Sequence, residues 1–250
     1  MGQRAKSNLK QHMTRWSIGL MDQFLPPRCL SCGAGAQEAG RICSDCWKIL
    51  DFLQGPACGC CGFPFDFGHL AEDFLCGACL VKTPSFDRAR AALRYDDGSK
   101  RMIIAFKHSD RTDYADFFAQ LLIQANQGSN LSNAIVIPVP LHKKRLGGRR
   151  YNQAALMAGR FAEKKALPYI PDMILRQKHT PPQQGNYGHR KRNLAGAFRV
   201  KDKYNGRIKG RRIVLIDDVY TTGATAGACA RILKHAGAEA VEILTVARVC

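Results

Sequence analysis

The 250-residue chain is poor in acids and has no long apolar run, and each shortage narrows what it can be. Only 20 Asp and Glu stand against 38 Lys and Arg, a formal net charge of +18. Such an excess favours phosphate-rich partners, whether nucleotides, diphosphates or nucleic acid, without choosing among them. Part of the charge is gathered in His142 to Arg150 and His189 to Arg192. The apolar runs fall short of the roughly 20 residues that cross a bilayer. Trp16 to Leu25 is broken by Asp22 and Gln23, so neither membrane insertion nor a signal peptide is expected, and the expected location is cytoplasmic. The Gly-Lys-[Ser/Thr] ending of a Walker loop is missing, and no nucleophilic triad is marked. Aromatics do not interleave the basic runs apart from Tyr151 and Tyr187, which weakens a stacking platform for bases.

Cysteine, by contrast, is abundant. Of the 11 cysteines, those from Cys29 to Cys79 include four pairs with two residues between members: Cys29 and Cys32, Cys43 and Cys46, Cys58 and Cys61, Cys76 and Cys79. Without a secretion signal, such thiols bind metal more often than they form disulfides. Each pair can turn both thiolates inward through a tight knuckle, and two pairs complete the tetrahedral shell that zinc prefers, so four pairs imply two ions. Gly33, Gly62 and Gly77 suit backbone that runs close to a metal-bound sulfur. Cys60 or Cys61 could serve as the third pair's second ligand; the spacing and Gly62 favour Cys61. Spacing does not say whether the pairs combine in sequence or interleave. Shells filled by thiolate leave no open position for chemistry, so the zinc is expected to be structural, in a segment that would not fold without it. Cys229 and Cys250 stand alone and read as structural or incidental.

The richest stretch is Ile213 to Thr225, IVLIDDVYTTGAT. Four apolar residues, Ile213 to Ile216, read as a buried strand of a parallel sheet. The strand is expected to stop there, with Asp217 and Asp218 at its end, a hydroxyl- and glycine-rich turn from Val219 to Gly223, and a helix from Ala224 to Ala236. A helix start behind a small polar turn makes an anion cradle, because its first amides are free and lie at the positive end of the helix dipole. Paired carboxylates would repel a phosphate, so they suit sugar hydroxyls or a nearby metal. Together they imply a ribose 5-phosphate unit. The run Asp217 to Thr225 resembles the phosphoribosyl-diphosphate loop of type I phosphoribosyltransferases, Asp-Asp-Val-x-Thr-Thr-Gly-x-Thr.

Around it, the composition gives a lead-in over 1–24, a cysteine-rich domain over 25–83 and a larger domain over 84–250. In the last, Ala89 to Tyr95 reads as a strand, Asp97-Gly98 as a turn, and Ser99 to Lys107 and Tyr114 to Gln124 as helices. Lys107 is either a cationic contact to a phosphate or an ordinary surface lysine near a helix end. Ala134 to Val139 is a strand ended by Pro138 and Pro140, and a basic glycine-containing loop follows to Gln153. Such a loop suits a diphosphate, since glycines let backbone approach and arginine offers paired donors. Asn152 or its neighbours would cap the next helix, to about Lys165. The proline-rich basic run from Leu175 to Leu194 suits a mobile flap. Phe198 to Val200 reads as a short strand, Tyr204-Asn205-Gly206 as a turn and Ala240 to Val246 as the last strand.

Paired cysteines, Pro-Val-Pro-Leu-His with Arg-Leu-x-x-Arg and Asn-Gln, Arg-x-x-x-Thr-x-x-Gln, Arg-x-x-Asn-Leu-x-Gly-Ala-Phe and the Asp-Asp-Val loop occur in that order. The chain thereby resembles the ComF family of bacterial competence-associated phosphoribosyltransferase-like proteins, from about Leu25 onward. One departure is Arg150, where that family usually has a glycine before the aromatic residue. The resemblance implies an α/β fold, a mostly parallel sheet flanked by helices, with a small N-terminal cysteine-rich zinc-binding domain. It also implies phosphoribosyl diphosphate or a related nucleotide as ligand, with Mg2+. Asp217 and Asp218 would hold ribose hydroxyls, and Val219, Tyr220, Thr221, Thr222, Gly223, Ala224 and Thr225 the 5-phosphate. Arg145 and Arg149 would neutralise the diphosphate, and the segment from Arg176 to Arg190 would close over the site. The acceptor is undetermined. A sensing module that engages single-stranded DNA or competence-machinery proteins is the alternative.

Overall fold

Apolar runs such as Ile135 to Ile137 and Ile213 to Ile216 have no polar side to leave in water, and they form strands of a sheet covered on both faces. The computed structural model describes residues 26–66, 73–108, 111–141, 151–177 and 196–250. Among these, the strands are β1 (Arg88–Arg94), β2 (Ala134–Pro138), β3 (Ile174–Arg176), β4 (Phe198–Val200), β5 (Arg212–Tyr220) and β6 (Ala240–Arg248). The helices are α1 (Ser44–Lys48), α2 (Gly77–Val81), α3 (Asp97–His108), α4 (Tyr114–Ala125), α5 (Gln153–Lys165), α6 (Asn205–Ile208) and α7 (Ala224–His235). No helix among the described residues is long and apolar enough to cross a membrane.

The main sheet runs β1-β6-β5-β2, all parallel, and β3 and β4 form a separate antiparallel pair. Helices α4 and α5 pack together on one face, where Phe118, Leu122, Met157 and Phe161 are fully buried. On the other face lies α7, with Cys229, Ala230 and Leu233 against Ile213, Leu215, Val241 and Ile243. Met173, Ile174 and Phe198 from the β3–β4 region join that cluster. The expected mostly parallel sheet with flanking helices, preceded by a cysteine-rich region, is what the chain forms.

Two expected turns prove to be helical. Asp97 and Gly98 open α3, because Asp96 and Ser99 bond reciprocally, the Ser99 N–H to Asp96 Oδ1 at 2.9 Å and the Asp96 N–H to Ser99 Oγ at 3.0 Å. Tyr204-Asn205-Gly206 spans a 3-10 turn, Asp202–Tyr204, and the start of α6. There the Tyr204 hydroxyl and the Lys201 ammonium both bond Asp172, which fixes the segment against the β3 side.

By contact the chain divides into two units, Met1–Ile49 and Leu50–Cys250. The first holds Cys29 to Cys46. Cys58, Cys61, Cys76 and Cys79, a second quartet, fall in the second unit, whereas composition puts a boundary near residue 84. The backbone gives the reason: Leu53 donates to the Ala92 carbonyl at 3.0 Å, Arg94 to that of Asp51 at 2.8 Å and Ala89 to that of Cys60 at 2.6 Å. The segment ahead of and inside the second quartet thus covers the outer edge of β1, which would otherwise offer unpaired backbone groups.

Candidate functional site: the carboxyl end of β5

Strand β5 outlasts one of its neighbours. The β2–β5 ladder ends at Pro138 opposite Ile216, whereas β5 and β6 go on pairing through Asp217–Thr245, Val219–Ala247 and Tyr220–Arg248. The chain leaves β2 where Val139 donates to the Ile216 carbonyl at 2.8 Å and Asn152 Nδ2 donates to the Val139 carbonyl at 3.2 Å. The expected stop at Ile216 therefore describes only one side of the strand. On the other side β6 carries it to Tyr220, and both acids lie within it, at the edge where open α/β sheets hold ligands.

Successive strand residues point opposite ways. Asp218 meets Lys107, its carboxylate 2.5 Å from the ammonium. Lys107 is held there because the Tyr151 hydroxyl donates to the Phe106 carbonyl at 3.2 Å, while Gln153 Nε2 donates to those of Phe106 and Lys107 at 3.4 and 3.3 Å. Between them Asn152 Oδ1 accepts from the Ala154 N–H at 3.1 Å and caps α5, as expected for that residue. Sequence reading missed Tyr151 and Gln153 as a bracket for Lys107, since nothing local marks a contact 46 residues away.

Asp217 faces the turn. Burial and the neighbouring Asp218 charge push its carboxyl up to about 7, against the pull of the Asp218 N–H, Lys107 and Arg176. The turn closes on Gly223, whose φ of +70° suits glycine and where a Cβ would stand 2.3 Å from the Tyr220 hydroxyl. Gly223 precedes α7 and supplies no side-chain cap, and the first turn of a helix carries amides with no acceptor inside the helix, the usual place for an anion. Asp217, the run Val219 to Ala226, Ile243 and Thr245 line one cavity of about 40 Å3. That exceeds the roughly 10–15 Å3 a single water needs. Thr245, 1% exposed, lies against it, and its Oγ1 has no hydrogen-bond partner among the described residues. No motif singles out Thr245; its register opposite Asp217 does.

Arg176, at the end of β3, lies 5.5 Å over the Phe198 ring and close enough to Asp217 to favour its charged form. Arg145, Arg149 and Arg190 fall outside the described residues. A larger cavity, about 870 Å3, opens at the amino ends of β1 and β6, lined by Asp87, Arg88 and Glu242 among others. Two of its three acids are already engaged, Asp87 by Lys234 and Glu242 by Ser129 and Arg212, and the third is Asp73.

The cysteines form two quartets in sequence, Cys29, Cys32, Cys43 and Cys46, then Cys58, Cys61, Cys76 and Cys79, with the Sγ atoms of each within 4.8 Å of one another. The Cys32–Cys43 and Cys61–Cys76 sulfurs are 3.7 and 3.6 Å apart. A tetrahedral zinc with bonds of about 2.3 Å sets sulfurs about 3.8 Å apart, so both quartets fit it. Amides already point at the sulfurs: the Cys43 N–H at Cys29 Sγ, 3.2 Å, and the Cys76 N–H at Cys58 Sγ, 3.3 Å. Cys60 stands outside the quartet, its thiol pushed up to about 11 by burial.

A family model described as a double zinc ribbon domain matches residues 20–80. Competence protein F of Haemophilus influenzae is 30% identical over 235 residues, covering 91% of this chain and 100% of that protein. The chain belongs to the ComF family. The DNA utilization protein YhgH of Escherichia coli K12, at 30% identity, covers 83% of this ComF-family chain and is itself covered over 90%. Among solved structures, the glutamine phosphoribosylpyrophosphate amidotransferase of B. subtilis, complexed with ADP and GMP, is 21% identical with a TM-score of 0.35, covering 55% of this chain and 26% of that one. A TM-score of that size carries no weight, and the fold rests on the sheet topology.

Three outcomes follow from this geometry. Metal analysis of the purified ComF-family protein should give two zinc ions per chain, and Cys61→Ser should reduce this to one; substantially fewer than two in the wild type would contradict the quartets. Because Asp217 is raised above its unfolded value of about 3.9, the unfolded chain gives up this proton first, and stability should fall as pH rises from about 4 to about 7. Asp217→Asn should flatten that part of the denaturation-against-pH curve. Thr245→Val removes a buried hydroxyl that lacks a partner, so urea denaturation of the ligand-free protein should show it unchanged or more stable by about 1 kcal/mol; a clear loss would mean the hydroxyl already has a structural partner.

Proposed function

We propose that this ComF-family protein binds phosphoribosyl diphosphate at the carboxyl end of β5 and transfers its phosphoribosyl group to an acceptor. The observation that carries the reading is the single cavity shared by Asp217, the Thr221 to Thr225 turn and the partnerless Thr245 hydroxyl. The 5-phosphate would take the amides that open α7 and the hydroxyls of Thr221, Thr222 and Thr225. Asp217 and Asp218 would accept hydrogen bonds from ribose hydroxyls, with Lys107 offsetting the second charge. Arg176, and with it Arg145, Arg149 and Arg190 from the basic segments, would face the diphosphate. In the reaction the bond from the anomeric carbon to diphosphate breaks, its electron pair leaves with the diphosphate, and the acceptor's lone pair makes the new bond. The chain's residues contribute position and charge, since no covalent intermediate with the protein is needed.

Magnesium fits the chemistry of this donor set, as hard carboxylate oxygens together with substrate phosphates are its usual ligands. It would add charge neutralisation on the diphosphate when bound. The names of the relatives link them to competence and DNA utilization. In the second reading this chain senses a phosphoribosyl ligand without turning it over and engages single-stranded DNA or competence-machinery proteins, which its basic excess favours.

Isothermal titration with phosphoribosyl diphosphate and Mg2+ tests the site. The wild type should bind, and Asp217→Asn/Asp218→Asn should lose binding by tenfold or more, as expected when about 1.4 kcal/mol is removed. Unchanged affinity in the double variant would remove the site assignment. Diphosphate release across a panel of bases and amines separates the two readings: turnover with one acceptor supports transfer, and binding without release from any of them supports the sensor.

A further inference from the structure

Tyr220 is held from behind. Phe86 stands edge-on to its ring at 6.2 Å, and the Arg248 guanidinium lies 4.9 Å from the ring centre. The Tyr220 carbonyl accepts the Val249 N–H at 2.9 Å. Its hydroxyl occupies the space that any Cβ on residue 223 would need. Burial pushes the phenol well above its ordinary range, so the ring acts as an uncharged spacer. The direction of the first amides of α7 therefore depends on where this ring sits.

Arg248 joins the ring to the second cysteine quartet. The residue is 5% exposed, and its Nη1 donates to the carbonyl of Cys61, one of the four residues of that quartet. The same guanidinium lies 5.4 Å over Phe63, two residues farther along the knuckle. The knuckle is seated firmly on the sheet. At Gly62, φ is +68° and a Cβ would come 2.4 Å from the Ala89 carbonyl oxygen, so only glycine allows this approach. Arg90 Nη1 donates to the carbonyls of Cys58 and Gly59 at 3.2 Å each. A metal in the quartet would hold the Cys61 carbonyl in place, that carbonyl accepts from Arg248, and the flat groups of Arg248 and Tyr220 hold each other by cation–π contact.

We propose that Arg248 is a positioning residue that couples metal retention in the Cys58, Cys61, Cys76 and Cys79 ribbon to sugar-phosphate binding at the Tyr220–Gly223 bend. The inference rests on the sugar-phosphate reading of that bend. Coupling of this kind is reciprocal, so the ligand must also tighten the ribbon's hold on its metal.

The test uses the full-length zinc-loaded protein and follows zinc release to a chelating dye, with and without phosphoribosyl diphosphate and excess Mg2+, beside a titration of the same ligand. In the wild type, ligand should slow release from one of the two sites by about fivefold or more, at the low end of measured allosteric couplings. Arg248→Met should bind the ligand about tenfold more weakly and show no ligand effect on release. Arg248→Lys, which keeps a donor but loses the planar face, should fall between them. Phe63→Leu, at a partly exposed position, provides a folded variant if Arg248→Met does not fold, and it should weaken the effect. A merely structural Arg248 would lower the stability of its variants and leave the ligand effect on release intact. Wild-type binding with unchanged release overturns the coupling and leaves the sugar-phosphate reading standing. Absence of wild-type binding overturns both.

Discussion

The constraint on which the site depends is the unequal length of the two ladders that flank β5. Pairing with β2 ends at Ile216, and pairing with β6 continues to Tyr220. Were both to stop together, Asp217 and Asp218 would lie in a loose loop. Were both to continue, the acids would be walled in by a neighbouring strand. The offset keeps their backbone rigid and leaves one side open. The turn to α7 is also fixed, since only glycine at residue 223 fits beneath the Tyr220 hydroxyl.

Electrostatics then set what such a rigid end can hold. Adjacent carboxylates at the end of a buried strand are costly, and two cations relieve the cost unequally. Lys107 pairs directly with Asp218 and also draws on Asp217, as Arg176 does more weakly, yet burial still wins and holds the Asp217 carboxyl up at about 7. One acid is therefore held against a cation and the other, Asp217, sits close to the neutral-pH boundary between donor and acceptor. That division suits hydrogen bonding to neighbouring hydroxyls better than it suits two fixed charges. The phosphate end of a ligand would lie a turn away, at the start of α7, so acids and anion need not meet.

Much of this is legible in the sequence because it is local. The apolar run before the acids, the Thr-Thr-Gly bend and the cysteine spacing each carry their own physical reason, and sheet, turn and quartets follow them. What stayed hidden depends on residues far along the chain. The true end of β5 is set by β6; the helical reading of Asp97-Gly98 is set by a reciprocal bond from Asp96 to Ser99; β3 is called into being by β4 across a basic stretch that reads as flap. Thr245 looks like an ordinary residue of the final strand and Arg248 falls beyond that strand's expected end at Val246, until register places them beside Asp217 and Tyr220. The cysteine-rich segment reads as a separate domain by composition, yet backbone bonds to Ala89, Ala92 and Arg94 tie its second half to the sheet. Composition reports what a segment is made of, and tertiary hydrogen bonds decide where it belongs.

The central claim is that the bend after Asp217 and Asp218 is where a sugar phosphate sits. The most direct measurement is a two-dimensional amide NMR titration of 15N-labelled protein with ribose 5-phosphate. The account predicts the largest shifts at the amides of Thr221 to Ala226, where the first turn of α7 would donate to the phosphate. Shifts gathered instead around Arg88, Gln127 and Asn130, in the larger cleft at the opposite end of the strands, would contradict it.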